Sequence, residues 1–327
     1  MLIENLMIFI FAFVVLVIAA ELLVKSLTKI ASHLDMAEFV IGFIIVAVGT
    51  SIPEFFVGVT SALDGNPKLA LGNVIGANIL DLTLVIGIIT LLKRGITIET
   101  KTVEKDTLYM FAVMSLPLIL MLDRDISRLD GFILIAVFIL YVLKILSQKK
   151  RFRERLKETT HRVFINNIIL AVSSIILLMI SAHFVIDYSR LLAIDFGISE
   201  ILIGLFVLSL GTTIPELTFE SKAILMKHRY MALGDLIGSV VVNSTLVLGV
   251  TAIICPIQIT TEVEFLMLVT AAFFMLTVAF LFMTLVEYER HILWQEAIAL
   301  IFLYILFILV ELTIISLSDE GIINLVG

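Results

Sequence analysis

Long apolar stretches dominate the chain, and ten of them reach the roughly 20 residues that a helix needs to cross the hydrocarbon of a bilayer. They cover residues 5–26, 37–62, 69–92, 106–122, 130–147, 164–187, 198–226, 231–254, 264–286 and 293–316. The pattern predicts an all-α integral membrane protein of ten transmembrane helices. Polar residues enter these runs at few places, and the main one occurs twice. Gly49-Thr50-Ser51-Ile52-Pro53-Glu54 is followed by Gly72-Asn73-Val74-Ile75-Gly76-Ala77-Asn78-Ile79-Leu80-Asp81. The pattern returns as Gly211-Thr212-Thr213-Ile214-Pro215-Glu216 and Gly234-Asp235-Leu236-Ile237-Gly238-Ser239-Val240-Val241-Val242-Asn243, at one constant offset and without a gap.

The recurrence divides the chain into a five-helix repeat over 1–147, a linker over 148–163 and a second five-helix repeat over 164–327. Five is odd, so the two copies enter the membrane from opposite sides. Inverted repeats with Gly/Pro-interrupted helices at matched positions point to a transporter site at the midplane. The linker holds Lys149, Lys150, Arg151, Arg153, Arg155, Lys157 and Arg162, which places it in the cytoplasm and both termini outside. On this count Lys93, Arg94, Lys227 and Arg229 fall inside, and Asp64, Asp123, Asp125 and Glu262 fall outside.

The two motifs carry the chemistry. Pro53 and Pro215 have no N–H and should break their helices, freeing carbonyls near Ala47, Val48, Ser209 and Leu210. Irregular backbone at membrane depth survives only when buried in protein or lining a cavity, and carbonyls beside hydroxyls and a carboxylate suit a hard cation. Glu54 and Glu216 are the anchors, since an uncompensated carboxylate at a helix centre costs about 2.5–3.5 kcal/mol. Asn73, Ala77 and Asp81 share one helix face, as do Asp235, Ser239 and Asn243. Among these, Asn73 and Asp235 read equally well as packing groups. Glu220 and Lys222 read as a local pair or as a snorkelling lysine.

Composition removes other classes. The chain is 61% hydrophobic and 16% charged, with a formal net charge of -7, and no basic patch of the kind nucleic acid requires stands apart from the membrane flanks. Cys255 is the single cysteine and permits no internal disulfide. The five histidines are scattered and no His-Glu-x-x-His set exists, so an intramembrane enzyme is not indicated and no cofactor is expected. An ion channel remains a different-class alternative, distinguished by flux that ignores any counter-ion.

At these residues the chain resembles the cation/calcium exchanger superfamily, and within it the prokaryotic sodium/calcium exchanger branch. The resemblance spans both motif regions and nearly the whole chain. It implies a secondary-active antiporter of the plasma or inner membrane that moves calcium outward against sodium by alternating access, working as a monomer; the alternative is proton/calcium or other divalent exchange. It further implies that Glu54, Glu216, Thr50 and Thr212 bind calcium and that Ser51, Thr213 and Ser239 bind sodium. The carbonyls of Ala47 and Ser209, with Asp81, Asn243 and position Ala77, complete the set. The chain departs from the branch pattern in two places: Asp81 and Asn243 exchange the expected Asn and Asp, and Ala77 stands where Ser is expected.

Overall fold

The computed structural model describes residues 2–33, 38–65, 67–97, 101–147, 161–195, 209–260, 262–289 and 291–319. Most of the linker, the start of the seventh apolar run and the extreme C-terminus therefore lie outside the described residues. The elements are helical throughout, apart from four two-residue strands: β1 (Ile96–Thr97), β2 (Asp125–Ile126), β3 (Ile257–Gln258) and β4 (His291–Ile292).

The helices are α1 (Leu2–His33), α2 (Phe39–Thr50), α3 (Ile52–Leu63), α4 (Pro67–Lys93), α5 (Lys101–Leu120), α6 (Arg128–Ser147), α7 (His161–Asp195), α8 (Ser209–Leu225), α9 (Arg229–Ile254), α10 (Glu262–Thr284) and α11 (Trp294–Asp319). Among the described residues seven are long and apolar enough to cross a membrane, or eight when α2 and α3 count as one bent span. The bend between them is 41° and falls at Ser51, two residues before Pro53. This is where the missing N–H predicts it. The second copy differs: Pro215 lies inside α8, with no interruption from Ser209 onward. Proline is tolerated there because neighbouring helices can satisfy what it frees.

Further departures escape hydrophobic patterning. α2 contains a π turn at Gly42–Val46, α4 one at Asp81–Val85 and α9 one at Asn243–Val247. The last two begin at the matched residues Asp81 and Asn243. A π turn inserts one residue into the helical ladder without altering composition, and such turns concentrate at functional sites.

The contacts define two compact units. The first joins Met1–Phe56 with Val137–Val242, and the second joins Val57–Ala136 with Asn243–Gly327, so each draws on both halves of the sequence. In the first unit α1 lies along α7 and also packs on α8, while α2 crosses the first part of α9. Glycines set that crossing. A Cβ on Gly42 would collide with the Met231 carbonyl, one on Gly234 with the Phe39 carbonyl, and one on Gly238 with the Ala47 methyl. The backbones thus touch directly, an approach that only glycine permits.

In the second unit α11 packs against α4, with Gly87 of α4 facing the Ala297 carbonyl and Ile301, and α10 packs on α4, α5 and α11. The strands close this unit's ends: β1 pairs with β4, and β2 with β3, both antiparallel. Two ion pairs reinforce one end. Lys68 Nζ reaches Glu264 at 2.8 Å and Arg124 reaches Glu262 at 2.7 Å. The Arg124 guanidinium holds the Glu262 carboxyl below its ordinary range, mainly through that hydrogen bond.

Candidate cation-binding site

Each motif delivers its polar groups to the interior. In the first unit Thr50, Ser51, Glu54, Ser209, Thr212, Thr213, Glu216 and Ser239 are all buried, and Ala47 is wholly inaccessible. These residues sit on α2, α3, α8 and α9, and α8 packs on both α2 and α9. A buried polar atom without a hydrogen bond costs about 1–3 kcal/mol, so their partners decide whether the group is structural.

The hydroxyls divide into two sets. Thr50 Oγ1 donates within reach of Val46 O at 3.1 Å, Ala47 O at 3.4 Å and Asp235 Oδ1 at 3.2 Å. Thr212 Oγ1 donates to Ser209 O at 3.2 Å. With their protons committed to protein acceptors, these two threonines keep lone pairs for a cation. Ser51, Thr213 and Ser239 differ: their buried hydroxyl oxygens have no hydrogen-bond partner. The Glu216 carboxylate is in the same position, with both oxygens buried and neither accepting a hydrogen bond of proper geometry. Thr50 is its hydroxyl neighbour, so a residue of the first copy stands beside the acid of the second. Three orphan hydroxyls and an orphan carboxylate form a donor set of oxygens alone, which suits sodium or calcium and not a soft transition metal.

The carbonyl expectation needs correcting in detail. Ala47 O accepts the Ser51 N–H at 3.0 Å, so Pro53 does not free it. The N–H that Pro53 lacks would have reached Gly49, four residues back. Ala47 O also lies 3.4 Å from Thr50 Oγ1, and Ser209 O accepts from Thr212 Oγ1 at 3.2 Å.

In the second unit Ala77, Asp81 and Asn243 are buried. Asp81 and Asn243 open their π turns, and Asn78 Nδ2 donates to Ser244 Oγ at 2.9 Å while Asn243 Nδ2 reaches Asn78 Oδ1 at 3.5 Å. Asn243 Oδ1 has no partner. Asn78 and Ser244 were not singled out from the sequence, although Asn78 lies in a repeated stretch and Ser244 directly follows one. Glu311 and Tyr304 on α11 were also missed; both are buried, and the carboxyl and phenol oxygens lack partners. Their only sequence signal was polarity inside an apolar run. Lys222 pairs with Glu21 at 3.2 Å, because α1 brings a carboxylate within reach of α8.

Among the described residues no three or more His, Cys, Asp and Glu side chains gather as a resident metal centre would require. Buried oxygens on bent and π-turned membrane helices define instead a transporter of ions. The chain belongs to the sodium/calcium exchanger protein family, whose model matches residues 4–146 and 166–313. It is 31% identical over 253 residues to the putative antiporter CaxA of Alkalimonas amylolytica, covering 74% of this chain and 78% of that one. It is 26% identical over 296 residues to the sodium/calcium exchanger MaX1 of Methanosarcina acetivorans, covering 78% and 84%. Its fold is that of the sodium-calcium exchanger NCX_Mj, with a TM-score of 0.81 at 23% identity over 94% of this chain and 99% of the other, in crystals soaked without sodium or calcium. The protein is accordingly a multi-pass membrane antiporter of the exchanger type.

Proposed function

We propose that this antiporter carries calcium outward in exchange for entering sodium, by alternating access of a site formed at the two motifs. The observation that carries the reading is the set of buried oxygens without partners on Glu216, Ser51, Thr213 and Ser239. A dehydrated cation supplies what these oxygens lack. Glu54 and Glu216 with Thr50 and Thr212 bind calcium, and Ser51, Thr213 and Ser239 bind sodium, with the Ala47 and Ser209 carbonyls completing the shell; Asp81 and Asn243 are further cation-binding positions. Position Ala77 contributes no side-chain oxygen.

The proposal includes ten spans in two inverted five-helix repeats, over 1–147 and 164–327, joined by a cytoplasmic linker, with both termini external. Support comes from ends assigned to the same face that meet inside the second unit: Lys68 with Glu264, Arg124 with Glu262, and β2 with β3. Matched π turns at Asp81 and Asn243 support the repeat.

The test is calcium-45 uptake into proteoliposomes with sodium, potassium or proton gradients imposed one at a time. Sodium loaded inside should drive uptake, and uptake indifferent to it overturns the reading. Asp81 with Ala77 favours a second reading, proton/calcium exchange, because a carboxylate can carry a proton where a hydroxyl would have held sodium. The proton arm of the same assay decides between them.

A further inference from the structure

Thr50 has one hydroxyl proton and three acceptors in hydrogen-bonding geometry, Val46 O, Ala47 O and Asp235 Oδ1, with the Glu216 carboxylate beside it. The two carbonyls belong to its own helix and are the ordinary partners of a helical threonine. Asp235 arrives from α9, on the copy of the motif that Thr50 does not belong to, and it is fully buried. The crossing that delivers it is fixed. Gly234, the residue before it, lies against the Phe39 carbonyl, and Gly238 lies against Ala47.

Which acceptor takes the proton decides what the site offers a cation. Donation to Val46 O or Ala47 O ties a carbonyl and turns the hydroxyl along its own helix. Donation to Asp235 releases the carbonyls and leaves the Thr50 lone pairs pointing away from α9. We infer that Asp235 is a positioning residue, which holds the Thr50 proton and so presents the Thr50 oxygen to calcium without binding the ion itself.

The sequence carries an independent sign that the acceptor, rather than the charge, is what the position supplies. The residue matched to Asp235 in the first copy is Asn73, and the residue matched to Thr50 in the second copy is Thr212. Asn and Asp share the Oδ1 acceptor and differ in charge. The inference rests on the proposed calcium site, and its test keeps the two separable.

Equilibrium calcium binding is measured calorimetrically on the purified protein, alongside the thermal midpoint of each variant. Asp235→Asn keeps the acceptor and removes the charge; Asp235→Glu keeps the charge and displaces the acceptor by one methylene. Positioning requires Asp235→Asn to bind calcium as the wild type does, and Asp235→Glu to bind about tenfold more weakly, the factor that a lost charge-assisted hydrogen bond carries. In a Thr50→Val background the difference between the two must vanish. Weak binding by Asp235→Asn with normal binding by Asp235→Glu, or a difference that survives Thr50→Val, overturns the inference and leaves the site intact. Equal weakening in both variants also overturns it. No calcium binding by the wild type overturns the site and the inference together.

Discussion

Replacing Glu54 or Glu216 by Gln preserves the shape of the side chain and removes one negative charge from groups that are almost wholly buried. Calcium needs about six to eight oxygens with enough charge to replace its hydration shell. Either change should lower apparent calcium affinity by about tenfold or more, equivalent to at least about 1.4 kcal/mol, with the protein still folding. Asp81→Asn should cost less than either, because a calcium ion held by two glutamates is already neutralised. Ala77→Ser should raise apparent sodium affinity, since it restores a hydroxyl where the matched residue is Ser239. Calcium-45 uptake at graded calcium and sodium reads the whole series. A defect in Asp81→Asn equal to that of Glu54→Gln, with sodium dependence unchanged in Ala77→Ser, would show the division of roles to be wrong. The burial of Glu54, Asp81 and Glu216 was legible in the sequence, because a carboxylate inside an apolar run has few reasons to be there unless it faces the interior. The Thr50–Asp235 bond was not, since residues 185 apart in sequence carry no mark of their contact.

Between α2 and α9 the backbone carbonyls of Phe39 and Met231 occupy the space that side chains at Gly234 and Gly42 would need. Gly42→Ala or Gly234→Ala must push the helices apart, and overpacking of this kind costs about 1–3 kcal/mol. Gly49→Ala is the control, because its Cβ would meet only the Ile175 side chain at 3.5 Å. Thermal unfolding in detergent should show a lowered midpoint for the first two and little change for the third. Equal midpoints would mean the crossing is looser than its geometry. The helices themselves could be read from hydropathy, and the bend near Pro53 from the missing N–H. The π turns could not, because beyond their polar residues Asp81, Thr83, Asn243, Ser244 and Thr245 the segments have ordinary apolar helix compositions. Nor could the continuity of α8 through Pro215, which neighbouring helices decide.

For the molecule as a whole, acid sensitivity has a component away from the ion site. Glu262 is exposed, and its carboxyl is held below the ordinary range by Arg124. A depressed folded-state value contributes stability above the ordinary carboxylate range, and that contribution disappears as pH falls through the depressed value. The thermal midpoint should therefore drop on acidification less steeply in Arg124→Ala than in the wild type; identical slopes would show that the pair adds nothing. The two-unit arrangement was also hidden in the sequence, because the repeat boundary follows chain order whereas the contacts join Met1–Phe56 to Val137–Val242. That interleaving, together with the α2–α9 crossing, makes each half of the chain a partner in waiting. Gly42 of the first half lies against Met231 of the second, and Gly234 of the second against Phe39 of the first. Neither half owns a finished interior, and in its internal logic the molecule is a dimer whose subunits share one covalent thread. Cutting that thread within the basic linker and producing 1–147 and 164–327 as separate polypeptides should yield halves that purify together. Halves that each accumulate and purify alone would mean the thread, and not the crossing, holds the protein in one piece.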